Sequence, residues 1–270
     1  DWGCGSGIAA RAFLDHFPKA VIPEVRFWDR SDKAMDFAIR RARERFPGRN
    51  VGSGLLEDPA TILLSHVLTE LDPPQVEQLV DRVRTATAVI WVEPGTYEAS
   101  LALIAVRERL RDSFRPVAPC PHHGRCGILQ PGNEPHWCHQ FADVPSSVFT
   151  DPFWGRFAHM LGIDLRSLPV AYLVLDRRTF PEPPSGTVRL LGRPQINKVE
   201  SRFMTCSSRG VVEAHVPRRG FPEVWQASKK DRLPSLQHWE FANGKPTRIV
   251  SADPSTESDG AAPVEPSAEP

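Results

Sequence analysis

The chain opens Asp1-Trp2-Gly3-Cys4-Gly5-Ser6-Gly7, with glycine at every second position from Gly3. Such a turn lets backbone N–H groups approach a ligand closely where a helix begins, as in phosphate and nucleotide sites. Asp29 closes the next apolar run, 24 residues beyond Gly5. A carboxylate there can accept both hydroxyls of a ribose. The G-x-G-x-G spacing lacks the third-glycine pattern of NAD folds and so favours S-adenosylmethionine (SAM). Asp1, Gly3, Gly5, Gly7 and Asp29 are the centre of this candidate cofactor site. Glu57, or its neighbour Asp58, could bind the adenine amino group. His66, within Ser65–Leu71, could contact methionine or substrate. Each also has a plainer reading, as a tight turn, a loop acid or a loop histidine.

A second constellation is built from cysteine. Cys120, Cys126, Cys138 and Cys206 follow C-x5-C-x11-C-x67-C, while Cys4 lies inside the glycine turn. Three of them fall in a loop dense in Pro, Gly and His, where ligands could hold together a segment without regular structure. A chain with no secretory signal is a poor candidate for structural disulfides. Four thiolates suit zinc or an iron–sulfur cluster. The paired C-x2-4-C of a zinc knuckle is missing, but His122, His123, His136 and His139 could replace a thiolate. Spacing therefore leaves zinc and cluster both open. Pro119-Cys120 lies after the helix that follows the fifth strand, the wrong place for the Pro-Cys nucleophile of RNA cytosine-5 methylating enzymes.

These residues must be positioned by regular elements. Ile8–Phe17 reads as a helix and Val25–Trp28 as a strand. Ser31 caps a helix with Met35, Ala38, Ile39, Ala42 and Phe46 at helical spacing, which Pro47-Gly48 stops. Asn50–Leu56 and Thr61–Ser65 are candidate strands. Asp72-Pro73-Pro74-Gln75 starts a helix running to about Arg84; it lacks the aromatic of the D-P-P-aromatic motif of amino-methylating enzymes. Ala88–Val92 reads as a buried strand, Glu93–Thr96 as a turn of the chain, and Leu103, Val106, Leu110 and Phe114 as one helix face. Alternation of this kind implies an α/β fold, a parallel sheet with helices on both faces. The glycine turn arrives without the strand that should hold it, so the chain reads as starting inside a domain, its first strand truncated. Asp151–Leu161 reads as a helix and Ala171–Leu175 as a strand; Thr187–Leu191, Val199–Thr205 and Val211–Val216 look β-like. The expected organisation is a Rossmann-like domain over 1–115, a Cys-rich cluster-binding loop over 116–145 and a return to the sheet over 146–178. A basic β-rich extension over 179–250 and an acidic disordered tail over 251–270 follow.

The 33 Lys and Arg balance 33 Asp and Glu. That neutrality is uneven. Ser251–Pro270 holds five acids and no base, and too little apolar surface to offset its ordering entropy. From Arg177 to Arg232 there are twelve bases against five acids, and of all the bases only six are Lys. Arginine gives bidentate phosphate contacts and stacks on bases, which suits RNA; a GC-rich coding bias would give the same composition. No apolar run approaches the roughly 18 residues of a membrane span.

Taken together, Asp1–Gly7, Ser65–Leu71, Val92-Glu93-Pro94-Gly95, Cys120-Pro121-His122-His123-Gly124-Arg125-Cys126 and Trp137-Cys138-His139 resemble the ribosomal small-subunit methyltransferase-like family. Gly192-Arg193-Pro194 and Lys198 through Cys206 resemble its C-terminal motif, and the likeness covers roughly residues 1–220. It implies a SAM-dependent methyltransferase Rossmann-like fold, a 4Fe-4S cluster on Cys120, Cys126, Cys138 and Cys206, and binding to small-subunit ribosomal RNA. The family includes mitochondrial factors for small-subunit assembly. The expectation is a SAM-binding, iron–sulfur-containing methyltransferase-like protein, its Arg and Lys of 177–232 contacting rRNA phosphates. The rivals are a non-catalytic assembly factor that keeps the SAM site, and a zinc-stapled methyltransferase of small molecules. The expected setting is the bacterial cytoplasm, or the mitochondrion if the chain is eukaryotic. No residue stands out as general base or nucleophile.

Overall fold

A computed structural model describes residues 1–57, 61–178, 181–242 and 244–251. Asp58 and the acidic tail beyond Ser251 lie outside the described residues. The chain forms two units, Asp1–Glu182 and Pro183–Pro270.

The first unit runs α1 (Ile8–His16), β1 (Glu24–Phe27), α2 (Asp32–Arg45), β2 (Asn50–Ser53), β3 (Thr61–Ser65), α3 (Pro73–Val83), β4 (Ala88–Pro94) and α4 (Tyr97–Leu110). It continues through β5 (Arg115–Ala118), β6 (Gln140–Phe141), α5 (Ser147–Thr150), α6 (Pro152–Leu161) and β7 (Pro169–Asp176). Caps fix the helix starts. Ser31 Oγ accepts from Ala34 N at 3.3 Å. Asp72 and Gln75 form a reciprocal capping box ahead of Pro73 and Pro74. Gly54 has φ +93, and the chain leaves β2 there, sooner than the apolar run to Leu56 suggests.

Strands β1 and β2 pair in parallel, as do β3 and β4. Trp2 bridges the two pairs, lying parallel between Trp28 and Leu64. Its N–H donates to Leu63 O at 3.0 Å, and Cys4 N donates to Trp28 O at 3.0 Å. Across the layer the order is β2, β1, the Trp2 segment, β3, β4, β7, β5, with β7 antiparallel to both neighbours. This mixed α/β unit with a parallel-containing sheet is compatible with a Rossmann-like fold. The period-2 rule sorts its faces. Ile62, Leu64, Val89 and Trp91 join α3 and α4 in one apolar cluster; Leu63 and Ile90 pack with α1 and α2 in another.

The second unit is β8 (Thr187–Ile196), β9 (Glu200–Ser207), β10 (Gly210–Pro217), α7 (Pro222–Lys229), β11 (Leu236–Ala242) and β12 (Lys245–Ser251). Its antiparallel sheet has the order β10-β9-β8-β11-β12, and the outer strands β10 and β12 approach each other. Gly192 (φ +64) sits in a register shift between Leu191 and Gln195, which bends β8. Val188, Leu190, Phe203, Val216 and Trp239 fill the core, with Phe221 and Val224 packed against it. No described helix is long and apolar enough to cross a membrane.

Candidate functional site

The glycine turn meets the sheet where β1 and β3 end. A cavity of about 320 Å³ opens there, within the size range of small-molecule sites. Asp1, Gly3, Gly5, Asp29 and His66 all line it, together with Trp2, Trp28 and Val67. Sequence reasoning thus names five residues that the fold brings together. Gly7 stands one step behind, at the N-cap of α1. Glu57 is exposed after β2 and is not among the lining residues.

The three glycines have φ of +67, +50 and +70, a region that side chains disfavour. Packing adds a second constraint at two of them. A Cβ on Gly3 would stand 2.5 Å from Val67 Cγ1, and one on Gly7 would stand 2.6 Å from Ala38 Cβ. At Gly5 a Cβ would meet nothing within 4 Å. Gly5 lines the cavity and its space is left open, as a cradle for a ligand requires. Ile8 and Ala9, the first residues of α1, also line the cavity, so the positive end of the helix dipole faces it.

Asp29 fastens the turn. Its Oδ2 accepts from Gly5 N at 2.8 Å and its Oδ1 from Ser31 N at 2.9 Å. A carboxylate has about four acceptor sites, so two N–H donors leave room for hydroxyl donors. Asp1 Oδ2 accepts from Ala10 N at 3.2 Å. Burial, then the charge of Asp29, pushes the Cys4 thiol up to about 11, so Cys4 is a protonated packing residue. Trp2 and Trp28 stack at 4.7 Å between centroids and 25° between planes, forming one aromatic wall.

His66 has φ +57, unusual for a side chain, and its Nδ1 is 3.1 Å from Ser65 Oγ. What holds this loop is a residue that sequence reasoning assigned to a turn. Glu93 lies inside β4 and is fully buried. Its Oε1 accepts from Val67 N at 3.1 Å, Leu68 N at 2.9 Å and Trp91 Nε1 at 2.7 Å. Its Oε2 has no partner among the described residues.

A second locus lies behind α4. Cys120, Cys126 and Cys138 line one cavity of about 30 Å³ with Ser100, Arg107 and Tyr172. Arg107 is 3% exposed. Its Nε donates to Cys120 Sγ at 3.2 Å and its Nη2 to Gly124 O at 2.8 Å, while its Nη1 pairs with Glu108. Glu108 Oε1 in turn accepts from Cys126 N at 3.1 Å. Burial raises Cys126 and lowers His122. A buried cation among thiols favours thiolate and is the ordinary companion of a thiolate centre. The donor types and the convergence of three of the thiols fit such a centre; their spacing does not fit one built on a single metal ion. Among the described residues no three His, Cys, Asp or Glu stand close enough to hold one metal ion. The cavity that the three thiols line has room for about two waters. Cys206 is a buried residue of β9 in the second unit, opposite Val211. No disulfide joins any of the five cysteines.

Arg107 could have been flagged as a lone charge on the apolar face of α4. Glu93, read as the start of a turn, gave no such signal. The family described as mitochondrial small ribosomal subunit Rsm22 matches residues 31–229, a span that takes in all four spaced cysteines and β8 to α7 but begins after Asp29. No curated protein matches the chain.

Proposed function

The chain belongs to the mitochondrial small ribosomal subunit Rsm22 family, and from that membership we propose a SAM-binding, iron–sulfur-containing methyltransferase-like protein that acts on the small ribosomal subunit. One observation carries the cofactor half of this reading: the glycine turn, Asp29 and His66 converge on one cavity at the ends of β1 and β3. In it, backbone N–H groups of the turn and the N-terminus of α1 receive the carboxylate of the methionine end. Asp29 accepts the ribose hydroxyls, and the stacked Trp2 and Trp28 wall the site against water. When bound, SAM supplies an electrophilic methyl group. The protein's part is to hold donor and acceptor in line and exclude solvent. The 4Fe-4S cluster would use Cys120, Cys126 and Cys138, with Cys206 as fourth ligand and Arg107 offsetting thiolate charge. A cluster takes each thiolate on its own iron, so its ligands stand further apart than those of a single tetrahedral ion. The small ribosomal subunit is the partner, reached through Arg and Lys of 177–232. The setting is the compartment of that ribosome, mitochondrial in a eukaryote.

A second reading, an assembly factor that keeps the cofactor site without catalysis, draws on the acids of the cavity. Asp1 and Asp29 already accept backbone N–H groups, and Glu70 stands 3.8 Å from Arg30. The test is transfer of labelled methyl from SAM to immature small-subunit particles by anaerobically purified protein. Incorporation that Asp29→Ala abolishes supports the enzyme. SAM and RNA binding without incorporation supports the assembly factor. Failure to bind SAM at all sinks both.

A further inference from the structure

The second unit has a recognisable topology. Its first strand, β8, pairs with both the second (β9) and the fourth (β11), and the fifth, β12, returns beside the third, β10. One helix, α7, joins the third strand to the fourth. A long, glycine-bent first strand and a partly open five-stranded barrel complete the OB arrangement, which hosts oligonucleotide and oligosaccharide sites among others. Topology alone assigns no ligand, so the surface must do so.

The outer face of β9 and β10, where OB barrels commonly bind, is self-neutralised. Glu200 lies 3.2 Å from His215 and 3.7 Å from Arg202, and Glu213 lies within 4.0 Å of both bases. One end of the barrel differs. The β8–β9 loop, the β10–α7 turn and α7 meet around Trp225. Trp225 Nε1 donates to Asn197 O at 2.8 Å, Arg218 N donates to Val199 O at 2.8 Å, and Asn197 Oδ1 accepts from Val199 N at 2.8 Å. The Arg218 guanidinium lies 4.1 Å from the Trp225 ring centroid and Lys229 Nζ lies 5.0 Å from it. Lys198, Arg218, Arg219, Lys229 and Lys230 are all exposed, and Val199 at the loop tip is 73% exposed. Among the described residues none of these five cations is in an ion pair. The acids nearby are Glu200, already matched as above, Asp231, next to Lys230 in the chain and 3.6 Å from Arg193, and Glu223 in the first turn of α7.

From this geometry we infer that the Trp225 corner is a binding site for single-stranded RNA. Five unmatched cations provide the phosphate term, and the indole with its stacked guanidinium provides a platform for an unpaired base. The loop and turn are tied by backbone hydrogen bonds, so little ordering is needed on binding. A duplex hides its base faces, so the platform discriminates against it. The choice of RNA rests on the ribosomal reading above; the site itself is read from the second unit alone.

Fluorescence anisotropy of the full chain tests this, using a labelled oligouridine of about twelve nucleotides and an RNA hairpin duplex. Trp225→Ala should weaken single-strand binding roughly tenfold or more, with Trp225→Phe retaining most of it. The exposed pair Arg218→Ala/Arg219→Ala should lower the slope of log affinity against log salt by about 1.4, for two lost phosphate contacts. Arg202→Ala, on the neutralised face, should change little. Single-strand binding that survives both corner variants overturns the inference while leaving the ribosomal reading standing. Loss with Arg202→Ala as large as with the corner variants overturns it too. Absence of any salt-dependent RNA affinity sinks both.

Discussion

Glu93 gives one oxygen to three donors, and all of them are main-chain or indole N–H groups with no water to turn to. Removing that acceptor leaves buried donors unmatched, at about 1–3 kcal/mol each. Glu93→Ala is therefore expected to cost about 3 kcal/mol or more in urea unfolding, and Glu93→Gln, which keeps an acceptor oxygen, markedly less. Because Val67 lines the candidate cofactor cavity, Glu93→Gln, which trades the second oxygen for an amide, should also weaken SAM binding measured by calorimetry. Gly5 makes the complementary prediction. Its missing Cβ faces open space, so Gly5→Ala should unfold only slightly more easily, by about 1 kcal/mol for the left-handed backbone. SAM affinity measured by calorimetry should fall much further than stability does. Gly7→Ala, which would collide with Ala38, should instead lose stability first.

At the scale of elements, β7 is held at its end by Asp176, 5% exposed, whose carboxylate accepts from Arg178 Nε at 3.0 Å and Nη2 at 2.6 Å. Those hydrogen bonds hold the carboxyl below its ordinary 3.8. A carboxyl depressed on folding contributes stability above its unfolded value and loses it as pH falls through the folded one. Asp176→Asn should thus destabilise by about 1–2 kcal/mol at neutral pH, a difference that shrinks as unfolding is measured below about pH 4. Much of the element map was legible because local chemistry agreed with the fold. Ser31 and Asp72 cap the helices they seemed to cap, and the run Thr61–Ser65 is a strand. Other elements left no such trace. β5 begins within a Pro-rich run and exists through pairing with β7. β11 carries Gln237 at a core position, 1% exposed, where it accepts from Trp239 Nε1 at 2.6 Å; a polar residue there breaks the apolar alternation that would announce a strand. The same reasoning applies to the sites. Glycines and Asp29 are read from spacing, whereas the service of Glu93 and Arg107 depends on which distant segments fold against them.

At the scale of the whole molecule, the sequence's zero charge conceals two unlike parts, a body with excess base and a tail rich in acid. The proposed cluster also belongs to this scale, since Cys206 stands 68 residues beyond Cys138 in the sequence. Anaerobically purified protein should contain iron and acid-labile sulfide in equal amounts, and Cys→Ser at position 120, 126, 138 or 206 should each deplete both. Zinc in their place would support the zinc-stapled rival. Arg107→Gln should leave the ligands intact yet make the cluster easier to lose to chelators, because an uncompensated thiolate set is harder to keep buried. The aromatic wall has an optical consequence. Two indoles stacked at 4.7 Å couple their excited states, so Trp2 and Trp28 should give a near-ultraviolet circular dichroism couplet. Trp28→Phe should remove it, and a molecule entering the cavity beside them should distort it, so that the protein carries its own spectroscopic gauge of occupancy.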